Sequence, residues 1–232
     1  MRWLACLLLL ACAGNARDVK VMLSNGQLKT LPLEDYVAGV LMGEASVLTS
    51  PEALKAQAVA SRTFAVHHLG RHTKAGYDFC EATHCQDFRL RDTVSQRVRA
   101  AVEATTSELL WSEGRPAATH YGKHCGGHSA AGSEIWPQIH APYLRALPDT
   151  FCLIRGRSQW ARELPSRVTI TRKSISGRIL EVLVGGQRVS AERFPSNLFE
   201  LQSGGQRASG FGAGNGVGLC QVGAEERGKA GH

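Results

Sequence analysis

The first stretch that alternates apolar and polar positions is 18–32, DVKVMLSNGQLKTLP, interrupted by Asn25-Gly26. Alternation sends successive side chains to opposite faces, and an Asn-Gly pair accepts the positive φ of a tight turn, so the pattern predicts a β-hairpin. At residue 33 the period changes. Leu33, Tyr36, Val37, Val40 and Leu41 recur at helical spacing, which predicts a helix over 33–44 with Glu34 and Asp35 at its positive end. Ser50-Pro51 marks a second start, with Ser50 as N-cap and Pro51 in the first turn. A stripe of Leu54, Ala58, Ala65 and Leu69 carries that helix to about 69, and its many alanines predict close packing against a neighbour. Residues 70–92 lose the period. A third helix is expected over 93–107, then short strands over 109–111 and 117–121 about a Glu113-Gly114 turn. After a loop-rich stretch over 122–165, alternation returns over 167–184, with turns at Ser176-Gly177 and Gly185-Gly186. The glycines repeating at every second position near 210–218 are read as a strand lying flat beneath an extended polymer. The sum is an α+β fold: helices packed on antiparallel sheets, with a small strand-rich subdomain near 165–200.

Composition narrows the class. At 232 residues, 43% hydrophobic and 20% charged, the chain is neither disordered, collagenous nor a coiled coil, and it can bury a real core. No apolar run reaches the roughly 18 residues of a spanning helix. Residues 1–16, MRWLACLLLLACAGNA, combine Arg2, an apolar core and small residues, the pattern of a secretory signal peptide. Cleavage near Ala13 or Ala16 leaves a soluble exported domain over 17–232; processing at Cys12 leaves a lipid anchor, the one route to a membrane. Either ending places the chain outside the cytoplasm, in the periplasm or cell envelope. The formal charge of +7 is spread along the chain. Arg89, Arg91, Arg97 and Arg99 lack the aromatic interleaving of a single-strand binder, so no nucleic acid is expected. An anionic envelope polymer fits better.

Candidate chemistry gathers at three places. Glu44 ends the first helix, where the dipole is negative and ionisation is disfavoured. His72, Cys80, His84 and Cys85 fall within the aperiodic stretch; two thiols and two imidazoles suit a closed tetrahedral zinc site, and a short-range Cys80–Cys85 disulfide is the alternative. Beyond residue 16, Cys80, Cys85, Cys125, Cys152 and Cys220 make an odd number, so in an oxidising compartment at least one is free, metal-bound or paired between chains. Cys125 lies in HYGKHCGGH (120–128). A Cys125–Cys152 disulfide is the better reading there than a Cys125 nucleophile, since neither an elbow nor an oxyanion motif accompanies it. The glycine cluster after 210 lacks the strand–helix unit of a dinucleotide site.

Five segments, in order, resemble the stage II sporulation protein D (SpoIID/LytB, amidase enhancer) family: LEDYVAGV (33–40) leading to Glu44, ALKAQAVASRT (53–63), YDFC (77–80) through THCQ (83–86), CGGH (125–128) and GVGLCQ (216–221). The resemblance covers roughly 20–230. It implies a peptidoglycan lytic transglycosylase that cleaves the MurNAc–GlcNAc bond of glycan strands stripped of stem peptides and leaves 1,6-anhydro-MurNAc ends. Glu44 matches the family's catalytic glutamate. A single acid/base suffices because the sugar's own C6 hydroxyl replaces the second carboxylate and water of an ordinary hydrolase. The resemblance also implies a structural zinc on His72, Cys80, His84 and Cys85, and glycan contacts from Tyr121, Gly126, Gly127, His128, Asn215 and Gln221; Gln57 and Arg62 are candidates for supporting polar contacts, with a structural role on their alanine-rich helix as the equal alternative. Two departures stand out. Asn215 replaces the usual histidine of the last motif, keeping a hydrogen-bonding group and losing a titratable one. The chain also ends at His232, where the family usually continues into a closing segment. Both favour the alternative reading of a catalytically impaired glycan-binding modifier of another wall hydrolase, such as an amidase.

Overall fold

The structure, a computed structural model, describes residues 17–139 and 141–232. The export segment read at 1–16 lies outside the described residues. Strands β1 (Asp18–Met22) and β2 (Leu28–Pro32) form the expected hairpin, in register from Asp18 opposite Pro32 to Met22 opposite Leu28. Helices α1 (Leu33–Glu44) and α2 (Pro51–His67) follow. Strand β3 (Phe79–Cys80) pairs parallel with β1, so the first sheet is mixed, in the order β2-β1-β3. Helix α3 (Gln96–Ala104), the small hairpin β4 (Trp111–Ser112) and β5 (Arg115–Pro116), strand β6 (Tyr121–Gly122) and the short helix α4 (Gly132–Ile135) lead to the strand-rich part.

That part extends further than the alternation at 167–184 alone indicates. Strands β7 (Gln159–Glu163), β8 (Val168–Lys173), β9 (Ile179–Val184), β10 (Gln187–Ser190), β11 (Phe199–Gln202) and β12 (Arg207–Phe211) make two three-stranded antiparallel sheets, ordered β10-β9-β8 and β11-β12-β7. They share one core, including Val168, Ile179, Val182, Phe199 and Ala208. Strand β13 (Leu219–Cys220) pairs parallel with β6 and runs into α5 (Gln221–Lys229).

The helical core takes Val37 and Leu41 of α1 and Leu54 and Ala58 of α2 from the stripes that the periodicity marks, joined by Val98 and Val102 of α3 and closed by Ala224 of α5. The alanines let these helix backbones approach closely. A second cluster joins the hairpin to the other face of α1, where the Tyr36 ring stacks between Phe79 and Phe88 at centroid distances of 5.2 and 5.3 Å.

Three local expectations change. Ser50 occupies the N-cap position of α2, but its side chain makes no cap hydrogen bond. The Thr49 and Ser50 N–H groups donate instead to the carboxylate of Glu225, from α5, at 2.8 and 2.9 Å. The glycine repeat is not a strand: Gly212, Gly214, Gly216 and Gly218 all have φ between 79° and 93°, which reverses the chain at alternate residues and leaves isolated bridges, such as Ala213 to His124 and Val217 to Ala130, in place of a ladder. Cys125 and Cys152 are free thiols 3.4 Å apart rather than a disulfide. Among the described residues no helix is long and apolar enough to cross a membrane.

Candidate active site

A cleft of about 900 Å³ lies between the helical part and the strand-rich part. Glu44 lines it from the last position of α1, Tyr121 from β6, Asn215 from the glycine turns, and His84 and Cys85 from the loop after β3. Aromatic and imidazole side chains face the same space, among them Phe64, His67, His68, His120, Trp136 and Tyr143. His68 and His120 add little positive charge: burial, helped by His67, Arg71 and His120, pulls His68 down to about 4, and burial with His67 lowers His120 as well.

Glu44 is half-buried, and its carboxyl is held above the usual carboxylate range. Burial is the main cause; the Asp87 charge adds to it and a hydrogen bond from the Asp87 backbone opposes it. That bond runs from the Asp87 N–H to Glu44 Oε1 at 2.9 Å. An N–H can only face an unprotonated oxygen, so it reserves Oε2 for the proton. The approach depends on Gly43, because a Cβ there would overlap the Asp87 carbonyl oxygen. From the other side, Gln221 Nε2 donates to the Glu44 carbonyl at 3.1 Å and to Gln57 Oε1 at 3.3 Å, capping the end of α1.

Gln86 ties the cleft wall to the helices. It is buried, accepts from the Tyr36 hydroxyl at 3.1 Å, and donates to the Ser61 carbonyl at 3.2 Å and to the Tyr121 oxygen at 2.9 Å. Burial, reinforced by the Glu44 charge, raises the Tyr121 hydroxyl, so Tyr121 stays a neutral group beside the acid.

Just upstream, His72, Cys80, His84 and Cys85 converge. His72 Nε2 is 3.2 Å from Cys85 Sγ and 3.2 Å from His84 Nε2; Cys80 Sγ is 3.3 Å from His84 Nε2 and 3.6 Å from Cys85 Sγ. A tetrahedral zinc with ordinary Zn–N and Zn–S bonds has ligand–ligand edges of about 3.3–3.8 Å. The donor set and its spacing therefore fit zinc with no vacant position. The cysteines are free thiols, which sets aside the Cys80–Cys85 disulfide. Asp87 lies two positions after Cys85, so whatever fixes this cluster also fixes the N–H that holds Glu44.

Residues 24–111, which contain Glu44 and the whole Cys/His cluster, match the family model for SpoIID, stage II sporulation protein. Over this stretch the chain is similar to the SpoIID family. It is 24% identical over 251 residues to stage II sporulation protein D of Bacillus amyloliquefaciens, covering 89% of this chain and 72% of that one. An uncharacterised protein of Brachyspira hyodysenteriae is 29% identical over 224 residues, and the chain spans 60% of that relative's length. The amidase enhancer of Bacillus subtilis is 34% identical over 112 residues, 48% of this chain and 15% of that protein.

The residues singled out from sequence separate into three groups. Glu44, Tyr121 and Asn215 line the cleft, with His84 and Cys85 at its edge. Asn215 spends its Oδ1 on the Val217 N–H at 2.9 Å, which leaves its amide nitrogen for the cleft. Gln57 and Gln221 are buried, Gln221 bonding the helix end at Glu44 and Gln57 bonding Gln221 in turn. The others stand away from the cleft lining. Arg62 is 0% exposed and pairs with Glu34, its Nη2 at 2.6 Å and Nε at 3.0 Å. Gly126 and Gly127 pack under Leu198, Phe211 and Leu153, and His128 is exposed, with Nδ1 2.8 Å from the Ser129 carbonyl. Two residues of the site, Gln86 and Asp87, are not among those the sequence singles out. Gln86 closes the THCQ segment and is legible there as a polar candidate. Asp87 acts through its backbone, which no side-chain pattern signals.

Proposed function

We propose that this chain is an exported lytic transglycosylase of the cell wall, cleaving the MurNAc–GlcNAc bond of denuded peptidoglycan strands with Glu44 as the acid/base. The observation that carries the reading is a half-buried, ionisation-resistant carboxyl with one oxygen fixed by a backbone N–H, set in an open cleft lined by aromatic rings. Glu44 Oε2 gives its proton to the glycosidic oxygen as the bond from C1 breaks. The C6 hydroxyl of the same sugar then bonds to C1 and returns its proton to Glu44, so no water is consumed. The raised pKa keeps the proton available for the first step, and the neutral Tyr121 beside it adds no charge to the developing cation. Aromatic side chains such as Trp136 present apolar faces to sugar rings. Its Nε1 donates to Glu192 at 3.1 Å, which holds that ring in place and occupies a second cleft carboxylate.

The reading includes a zinc held by His72, Cys80, His84 and Cys85. The ion would be structural: with four protein ligands it clips the aperiodic loop and thereby the Gln86–Asp87 segment. Export with an envelope location, by a cleaved leader or a lipid anchor at Cys12, a part in spore formation, and a cell-wall amidase as working partner belong to the same proposal; the names of the Bacillus relatives support the last two. A second reading, a glycan-binding modifier of an amidase, is favoured by the likeness to the amidase enhancer and by Asn215. Wild type and Glu44→Gln incubated with amidase-stripped strands separate the two. Anhydro-muramyl ends from wild type alone support the enzyme; strand binding without cleavage by either overturns it in favour of the modifier.

A further inference from the structure

A second cluster of metal-ligating groups lies away from the cleft, and nothing in the reading above uses it. Cys125 from the loop after β6, Asp149 and Cys152 from the turn at 149–153, and Cys220 at the N-cap of α5 bring three sulfurs and a carboxylate oxygen within 4.8 Å of one another. Cys125 Sγ is 3.4 Å from Cys152 Sγ and 3.6 Å from Asp149 Oδ2. Cys125, Cys152 and Cys220 are buried, and all three are free thiols. We infer that these four residues form a second, closed zinc site that pins the chain's last helix to the loop carrying CGGH.

Four features of the surroundings suit an anionic metal–thiolate centre better than three neutral thiols. Backbone N–H groups aim at sulfur: Gly127 to Cys152 at 3.1 Å, Cys125 to Cys220 at 3.3 Å and Gly223 to Cys220 at 3.4 Å. The α5 N-terminus adds its partial positive charge at Cys220. Two cations flank the cluster: Arg227 Nη2 stands 3.6 Å from Asp149 Oδ1, and Arg178 donates to the Cys125 carbonyl at 2.9 Å. Gly223 leaves room for the carboxylate, since a Cβ there would overlap Asp149 Oδ2. Three thiolates and a carboxylate give a divalent zinc a net charge of −2, which these groups offset. The ligand–ligand distances of 3.4 and 3.6 Å lie near tetrahedral edges of about 3.5–3.8 Å for Zn–S and Zn–O bonds. Binding releases the three thiol protons to solvent, and because the ligands come from distant segments the ion forms only on the folded chain. With no vacant position it would stabilise rather than catalyse.

The test uses the full chain purified without chelator or added oxidant. Zinc measured by plasma mass spectrometry should fall by one equivalent per chain in Cys152→Ser and again in Cys220→Ser, and this equivalent should persist in Cys80→Ser. Wild type needs no variant to fold: Cys125, Cys152 and Cys220, followed by peptide-mapped alkylation, should be protected until a strong chelator is added and should then react together. Unchanged zinc in both variants, alkylation indifferent to chelator, or a Cys125–Cys152 linked peptide in fresh protein would each overturn the inference. A loss of zinc only from the His72 cluster leaves these readouts unmoved, so the two sites stand or fall separately.

Discussion

Replacing Glu225 with Gln should cost about 3 kcal/mol of stability at neutral pH. Glu225 is 0% exposed, yet it accepts from the Thr49 and Ser50 N–H groups and the Thr49 hydroxyl, with Lys229 Nζ at 3.3 Å. These donors outweigh burial and depress its carboxyl to about 2 from an ordinary 4.5. A gap of about 2.5 pH units at 1.36 kcal/mol each gives about 3 kcal/mol. Hydrogen bonds to a charged acceptor, worth about 1.5–3 kcal/mol each and less than additive, lead to the same figure. The sign follows from the depressed pKa. The contribution is complete above pH 4.5 and is lost as pH falls toward 2, with roughly 2 kcal/mol of it gone by pH 3. Urea unfolding of wild type and Glu225→Gln at pH 7 and pH 3 measures both quantities, and the difference between the two proteins cancels other acid-sensitive groups. A gap below about 1 kcal/mol at pH 7, or one of equal size at both pH values, would refute the assignment of Glu225 as the charged cap of α2.

Three further outcomes follow from the same geometry. Arg62→Lys should lower stability by about 2 kcal/mol or more, since a single ammonium cannot replace the forked contact with Glu34; affinity for glycan should stay unchanged, and weakened binding at equal stability would restore Arg62 to the substrate contacts. Gly43→Ala should destabilise by about 1–3 kcal/mol, because backbone rather than a yielding side chain opposes the new Cβ, and in hydrogen exchange the Asp87 amide should lose protection. Cleavage should decline as pH rises through the elevated pKa of Glu44, where the proton donor is lost. Asp87→Asn removes a charge that raises this pKa and should move the decline to lower pH; an unmoved or upward-shifted profile would contradict that electrostatic coupling.

The legibility of the chain follows the range of its interactions. Helices α1 and α2 and the first hairpin are set by periodicity and turn chemistry within about a dozen residues, and their bounds agree with expectation to within two residues or so. The strand-rich part is visible through Val168, Ile170, Ile179 and Val182, but strands β7 and β12 are not, because the half-exposed sequences QWARE and RASGF alternate weakly. Glycine spacing misled at 212–218, where the positive φ at each glycine is invisible in composition. At the site, side-chain types carried Glu44 and the His72 cluster. Contacts made across long separations did not show: the Asp87 N–H on Glu44, Gln221 beneath the helix end, and Glu225 capping a helix 175 residues earlier.

The central claim is that Glu44 drives an internal ring closure rather than attack by water. Digesting denuded glycan strands in water enriched in heavy oxygen, with product ends read by mass spectrometry, tests it most directly. The account predicts unlabelled anhydro ends from wild type and no new ends from Glu44→Gln. Heavy oxygen at newly formed reducing ends, or undiminished cleavage by Glu44→Gln, would contradict it.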